Sequence, residues 1–198
     1  METLKYIVHR KIKSPSVLVV GYSTQMLYEF TTHGQLLKTI TLPSDAGHPT
    51  FAVQLSWTHG CFYAVSFHSP LRDDCCVVDD NGNIVKAFRK SSGPSSVQLK
   101  CPYGMAVDSR NMVFLADCWN NRIVVLNSEK LDSGVSSDSV SENDVSRMLP
   151  VSVDGGLLYP KRLCLDESRD RLYIRDDHNR LIVVNSLNDM TNGLLIYK

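Results

Sequence analysis

Short apolar runs separated by polar turns dominate the pattern of this chain. Residues 104–107, 112–116 and 122–126 are three such runs, and each has the length of an ordinary β-strand. The run at 112–116 is apolar at every position, which predicts a strand buried on both faces. Polar residues around Asp108 and Asp117 separate the runs. The stretch therefore predicts neighbouring strands joined by tight turns.

The same layout returns near the end of the chain. Pro102 is matched by Pro160, and Arg122 by Arg180, with β-like runs between the matched residues in both copies. Asp108 is matched in the same way by Asp166. An internal repeat of this length that is built of strands is typical of the blades of a β-propeller.

The motifs in these stretches resemble the NHL-repeat family. They are Pro102, Gly104, Ala106-Val107-Asp108, Ala116-Asp117 and Asn120-Asn121-Arg122-Ile123-Val124-Val125. The second copy is similar to the last blade of the propellers that end tripartite-motif (TRIM-NHL) proteins. It departs from the motif at Arg162, where the repeat usually has glycine, and at Arg175, where it usually has alanine. The resemblance implies four-stranded blades and a surface for RNA or partner proteins.

The remaining sequence supplies two blades with weaker motifs. Their predicted strands are 6–8, 17–22, 26–31, 36–41, 51–55, 61–67, 75–78 and 84–88, and His33-Gly34 and Asn81-Gly82 are predicted turns. We predict an all-β chain in which residues 1–198 form one NHL-type β-propeller region. Its blades are expected at residues 4–42, 48–88, 99–153 and 157–198.

Four blades imply a partial or open ring, because NHL propellers usually have six. We expect the chain to be part of a longer protein, or a shortened relative whose open ends pair with each other or with another chain. RING, B-box or coiled-coil segments would then be missing upstream. The final blade is expected to close with strands at 181–184 and 194–197, and the serine-rich, acidic segment 128–144 is predicted to be disordered.

Composition narrows the class of protein. The 198 residues are 43% hydrophobic and 21% charged, with a formal net charge of zero, which gives no electrostatic footprint for nucleic acid. No apolar run could span a membrane, and the first residues do not resemble a signal peptide, so we expect a cytoplasmic protein. The six cysteines predict buried thiols in a reducing compartment. Cys75 and Cys76 are expected to point to opposite faces of one strand.

A binding surface is predicted on one face of the propeller. The loops that join the second strand to the third share this face with the connections between blades. They carry aromatic and cationic side chains, which protein hot spots and single-stranded RNA both use. The candidate binding residues are Tyr103, Trp119, Lys161, Arg162, His178, His68 and Arg72. An exposed Trp119 is compatible with partner binding and also with a rim residue packed on the adjacent loop.

Catalysis receives little support from the sequence. The recurring pairs Asp117/Arg122 and Asp176/Arg180 are interpreted as braces for turns, because residues that recur in each blade serve each blade. The sequence contains no nucleophile elbow, metalloprotease motif or phosphate loop, and we predict no catalytic residue, metal site or cofactor.

The expected function is therefore a non-catalytic module that binds a protein partner, as the substrate-recognition part of a TRIM-like ubiquitin ligase would. Ligase activity itself would need the RING segment. One alternative is an RNA-binding NHL propeller. A second is a metal-dependent propeller hydrolase or lyase, although Phe51, Tyr103 and Arg162 would be poor ligands for a hard metal at the inner-strand starts.

Overall fold

The chain is described by a computed structural model at residues 4–10, 16–44, 47–57, 60–68, 73–88, 98–127, 145–149 and 156–185. Its described regular structure consists of β-strands and short 3-10 turns. The strands form four separate sheets, which follow one another along the chain. Every pairing in these sheets is antiparallel.

The first two sheets each contain four strands in chain order. Sheet one contains β1 (Leu4–Arg10), β2 (Ser16–Gly21), β3 (Met26–Thr31) and β4 (Leu36–Thr41). Sheet two contains β5 (His48–Trp57), β6 (Gly60–His68), β7 (Asp73–Asp79) and β8 (Ile84–Phe88).

Sheets three and four contain the two copies of the repeat. Sheet three contains β9 (Pro102–Val107), β10 (Met112–Asp117), β11 (Arg122–Asn127) and β12 (Val145–Leu149). Sheet four contains β13 (Arg162–Asp166), β14 (Arg171–Arg175) and β15 (Leu181–Asn185). The predicted all-β fold with about four blades is confirmed. The predicted strand at 194–197 and the segment 128–144 lie outside the described residues.

Each pair of neighbouring sheets shares one hydrophobic core. Alternate residues of a strand point to opposite faces, so sheets two and three each contribute to two cores. Between sheets one and two pack Leu18, Val20, Leu27, Ile40, Tyr63, Val65, Phe67 and Val78. Between sheets two and three pack Phe51, Val53, Leu55, Met105, Val113, Leu115 and Val124. Between sheets three and four pack Phe114, Ala116, Ile123, Val125, Leu172, Ile174, Ile182 and Val184.

The cysteines on β7 show this alternation directly. Cys75 belongs to the core between sheets two and three, and Cys76 to the core between sheets one and two, which confirms the prediction that they face opposite ways. Burial raises the pKa of the Cys75 thiol well above its usual value, and the charges of Cys76 and Asp74 raise it further. The prediction of buried thiols is wrong for Cys164, which is exposed because its neighbours on β13 turn inward instead.

The first strands of successive sheets contact one another, as the inner strands of propeller blades do: β1 with β5, β5 with β9, and β9 with β13. The hydroxyl of Thr50 on β5 donates to the carbonyl oxygen of Pro102 on β9 over 2.9 Å. At Gly104, a Cβ atom would lie 2.5 Å from the carbonyl oxygen of Lys161. Glycine is therefore needed where β9 approaches the start of β13. No helix in the described part of the chain could span a membrane.

Candidate functional site

One end of every sheet gathers the starts of first strands and the ends of second strands. The pairings His48 with His68, Pro102 with Asp117, and Arg162 with Arg175 place these positions side by side. We call the resulting surface the loop face. It carries Tyr22, His48, His68, Cys101, Tyr103, Trp119, Tyr159, Lys161, Arg162 and His178.

The turn between β10 and β11 presents Trp119 on the loop face. A 3-10 turn at Cys118–Asn120 follows β10, and Asn121 adopts a left-handed conformation with φ of 54° before β11 begins. The backbone N–H of Trp119 donates to the carbonyl oxygen of Lys100 over 3.1 Å. The backbone of this residue is thus fixed while the residue as a whole remains 62% exposed.

The buried side chain of Asp117 stabilises this turn through hydrogen bonds. Its carboxylate is completely buried and accepts hydrogen bonds from Arg122 Nε at 2.6 Å, Asn120 Nδ2 at 2.8 Å and the backbone N–H of Lys100 at 2.6 Å. The interpretation of Asp117 and Arg122 as a brace is confirmed. The backbone donor, the N–H of Lys100, lies in the segment that enters the blade and not in the turn that follows Asp117. The pair consequently ties the segment that enters the blade to its second turn.

Asp176 braces the corresponding turn of sheet four. It accepts the backbone N–H groups of His178 at 3.0 Å and Arg180 at 3.1 Å, and Arg180 Nε donates to it at 2.8 Å. Burial acts to raise the pKa of Asp176, but the hydrogen bonds and charge of Arg180, with the N–H of His178, outweigh it and hold that pKa below its usual value. The carboxylates of Asp117 and Asp176 therefore already accept hydrogen bonds within their own blades or from the segment that enters the blade.

His68 and Trp119 meet across the boundary between sheets two and three. Their ring centroids are 6.5 Å apart and their planes are inclined at 60°, which is an edge-on contact. Trp119 thus contacts the end of β6 in the adjacent sheet, and most of its surface is still exposed to solvent. Both roles considered for Trp119, partner binding and packing at the rim of the loop face, are compatible with the structure.

Arg162 and Tyr103 meet across the next boundary, between sheets three and four. The guanidinium carbon of Arg162 lies 5.5 Å from the centroid of the Tyr103 ring, within the range of a cation–π contact. Arg162 also donates from Nη1 to the carbonyl oxygen of Lys161 at 3.1 Å. Arg162, which stands where the first copy of the repeat has Gly104, therefore connects two sheets.

The other candidate residues differ in how accessible they are to a binding partner. Lys161 forms a salt bridge with Asp177, so its charge is locally balanced. His178 is exposed in the turn between β14 and β15. Arg72 lies outside the described residues.

Two rings of the loop face, those of His48 and Tyr159, were missing from the predicted site. The ring of His48 stacks on Tyr22, with centroids 4.8 Å apart and planes inclined at 24°. Tyr159 is 44% exposed and directly precedes Pro160, at the position that Cys101 occupies before Pro102. The recurring proline marks the position of Tyr159, whereas nothing in the sequence pairs Tyr22 with His48.

A cavity of about 270 Å³ lies at the opposite end of sheets three and four. Asp108, Arg110, Phe114, Leu165, Glu167 and Asp170 are among the residues that line it. Its polar groups bind one another: Ser109 donates to Glu167 from both its hydroxyl and its N–H, and Arg110 pairs with Asp108. In the described part of the chain, no three His, Cys, Asp or Glu side chains are grouped so that they could hold a metal ion.

Comparison with known proteins identifies similar folds but no family. Neither a protein-family model nor a curated protein sequence matches the chain. A protein of unknown function from Bacteroides caccae superposes with a TM-score of 0.57 at 17% identity, over 90% of this chain and 62% of that protein. The hydrazine synthase of Kuenenia stuttgartiensis superposes with a TM-score of 0.51 at 13% identity, over 87% of this chain and 68% of that one.

A third similar structure is the virginiamycin B lyase of Staphylococcus aureus. Its TM-score is 0.47 at 11% identity, over 93% of this chain and 56% of the lyase. The chain thus spans less than two thirds of this lyase and of the Bacteroides caccae protein. At these identities the similarity concerns the fold alone, which is an all-β arrangement of propeller-like blades.

Proposed function

We propose that this chain is a non-catalytic interaction module that binds a protein partner through the loop face. The observation that carries the proposal is the presentation of Trp119. Its backbone is fixed by Lys100 and its ring touches His68, yet the residue is 62% exposed. A large aromatic group that is already held in place loses little freedom on binding, which is the property of a hot-spot anchor.

The charges of the loop face favour a protein over a nucleic acid. Lys161 is paired with Asp177, and the chain as a whole has a formal net charge of zero. Nucleic-acid binding draws most of its affinity from cations that neutralise phosphates. A face whose lysine is already paired is better suited to the mixed aromatic and polar contacts of a protein interface.

RNA binding is the second candidate function. It is favoured by the contact between Arg162 and Tyr103, since an aromatic ring beside a guanidinium can stack an unpaired base and attract its phosphate. A metal-dependent hydrolase or lyase is not proposed. Its chemistry would need convergent hard ligands, whereas the first strands present His48, Tyr103 and Arg162 at this end, and of these three only His48 is a usual metal ligand. The start of β5 is His48 rather than the expected Phe51.

The NHL-like motifs support a more specific form of the proposal. The Asp–Arg brace is present in sheets three and four, and the Pro-x-Gly opening of sheet three packs Gly104 against Lys161. We propose an NHL-type propeller that recognises substrates for a TRIM-like ubiquitin ligase in the cytoplasm, with ubiquitin transfer performed by a RING segment elsewhere. None of the five described cysteines is in a disulfide, which fits a reducing compartment.

A displayed library of random peptides, selected on the purified chain, tests the proposal. Peptides recovered from the selection are labelled, and their affinities are measured by fluorescence anisotropy. We expect Trp119→Ala to weaken binding by about 10-fold or more, the loss typical of a hot-spot residue. Leu37→Ala is the matched control, because Leu37 is 53% exposed near the opposite end of sheet one. If the selected peptides bound Trp119→Ala as tightly as they bind Leu37→Ala, the proposal would be overturned.

A labelled single-stranded oligouridine separates the two candidate functions. Protein recognition predicts no saturable binding of this RNA at low salt. Binding that falls steeply with added salt, and that both Trp119→Ala and Arg162→Ala weaken, would favour RNA as the ligand.

A further inference from the structure

Two cysteines lie opposite each other at the loop face of sheet three. Pro102 at the start of β9 pairs with Asp117 at the end of β10. Cys101 directly precedes Pro102, and Cys118 directly follows Asp117. Since the two segments are antiparallel, Cys101 and Cys118 occupy the next opposed positions beyond the paired strands.

A second contact holds the segments together on the far side of the cysteines. The N–H of Trp119 donates to the carbonyl oxygen of Lys100, so Cys101 and Cys118 are enclosed between two cross-strand contacts. Opposed residues in antiparallel segments have Cα atoms about 4.5–5.5 Å apart, and disulfides span Cα separations of about 4.4–6.8 Å. The register therefore places Cys101 opposite Cys118, which is the arrangement that a cross-strand disulfide needs.

The two thiol groups also affect each other electrostatically. Burial raises the pKa of Cys118 to about 11, and the charge of Cys101 is the next largest cause of this increase. Cys118 is 2% exposed, whereas Cys101 is half-buried. Of the two, Cys101 is thus the thiol that a small reagent reaches from solvent.

The pair is not a requirement of the blade. In sheet four, Tyr159 precedes Pro160 and Asp177 follows Asp176, so the positions of Cys101 and Cys118 hold a tyrosine and a carboxylate. Sheet four nevertheless has a backbone hydrogen bond similar to the one between Trp119 and Lys100: the N–H of Asp177 donates to the carbonyl oxygen of Leu158 over 3.1 Å. Opposed thiols are therefore particular to sheet three among the two clear repeats.

We propose that Cys101 and Cys118 form an oxidation site at which a hydroperoxide produces a reversible disulfide. The Cys101 thiolate attacks one peroxide oxygen, the O–O bond breaks, and an alcohol or water leaves after taking up a proton. The resulting sulfenic acid is attacked by the sulfur of Cys118, and its S–O bond breaks to release water. Two thiols and one hydroperoxide become one disulfide, one alcohol and one water, with two electrons passing from sulfur to oxygen.

Peptide mapping of the whole chain tests this site. The chain is treated with hydrogen peroxide, blocked with N-ethylmaleimide and digested with trypsin, which cleaves after Lys100, Arg110 and Arg122. The two cysteines then lie on separate peptides, 101–110 and 111–122. We expect these peptides to be recovered joined together after oxidation, and separated when dithiothreitol is added before blocking.

Two variants and one unfolded control make the test specific. Cys164→Ser should leave the joined peptide unchanged, although Cys164 is an exposed cysteine of the described chain. Cys101→Ser should abolish it, and this half-buried position avoids the risk of unfolding that replacement of Cys118 carries. In concentrated guanidinium chloride the selective joining should be lost.

Recovery of Cys101 only as sulfinic or sulfonic acid would overturn the proposal. Joining of Cys101 to Cys164 in comparable yield would overturn it as well, as would equal joining in the unfolded chain. The test is independent of partner binding, because it needs only the isolated chain and the peroxide.

Discussion

Arg122 donates from Nε to Oδ2 of Asp117 over 2.6 Å, and the carboxylate that it reaches is completely buried. Because Asp117 also accepts from the backbone of Lys100, one ion pair connects β10, β11 and the segment that enters sheet three. A buried charge of this kind is costly once its partner is removed. The pair is therefore expected to affect folding far more than an ion pair on the surface.

Replacement of Arg122 by leucine tests this expectation. The change leaves the Asp117 carboxylate buried with its neutral donors alone, so we expect the free energy of unfolding to fall by about 2–4 kcal/mol. The measurement is urea denaturation followed by circular dichroism. Arg169→Ala is the control, since the Arg169 side chain is 68% exposed where it pairs with Asp166, and it should cause no measurable change. Equal effects of the two changes would contradict the brace.

Asp176 predicts how stability depends on pH. Although burial favours its neutral form, the hydrogen bonds and charge of Arg180 hold its folded-state pKa below the usual value. A carboxylate with a lowered folded pKa stabilises the fold above its unfolded pKa, and that contribution is lost as the pH falls through the folded pKa.

The free energy of unfolding should consequently decrease as the pH falls below about 4, the usual pKa of an aspartate in an unfolded chain. Asp176→Asn should be less stable than the parent chain at neutral pH and should show a shallower acid dependence. The stability of the variant will still depend on pH to some extent, because the pKa values of Asp79 and Asp166 are lowered as well. Urea denaturation across this pH range provides the measurement. An unchanged slope in the variant would show that Asp176 contributes no such linkage.

Local pattern was sufficient to predict most strands, although it gave no bounds for β12. The limits of β3 and β4 match the predicted runs because these runs of β-forming residues flank a polar turn, where Gly34 takes a φ of 83°. The buried run at 112–116 corresponds to β10, which is covered on both faces by neighbouring sheets. Such features depend on residues that are close in sequence.

Contacts between blades could not be predicted in the same way. The partners His68 and Trp119 come from different sheets, and so do Tyr103 and Arg162. Their meeting depends on how far one sheet is rotated and shifted against the next, which periodicity does not specify. The pairing of Lys161 with Asp177 was missed for a related reason, since an ion pair between a connection and a turn leaves no signal in either segment.

Gly104→Ala tests how closely β9 approaches β13. The new Cβ atom would lie 2.5 Å from the carbonyl oxygen of Lys161 and 3.1 Å from the Cα atom of Arg162. These are backbone atoms and cannot rotate away, so we expect a loss of about 1–3 kcal/mol in the free energy of unfolding, measured by urea denaturation. Gly34→Ala is the comparison: its Cβ would meet no atom within 4 Å, and its cost of about 1 kcal/mol would come from the positive φ alone. A neutral Gly104→Ala would contradict the close approach.

Adjacent residues on β15 test the orientation of sheet four. Ile182 is 8% exposed in the core shared with sheet three, whereas Leu181 is 67% exposed on the other face. Ile182→Lys places an ammonium group among apolar side chains, where it loses its hydration, and should cost more than about 3 kcal/mol. Leu181→Lys leaves its charge in water and should change the free energy of unfolding by less than about 0.5 kcal/mol. The two positions are neighbours on one strand. Urea denaturation that gave the same loss for both would contradict the alternation on β15, and with it the packing of the second repeat against the first.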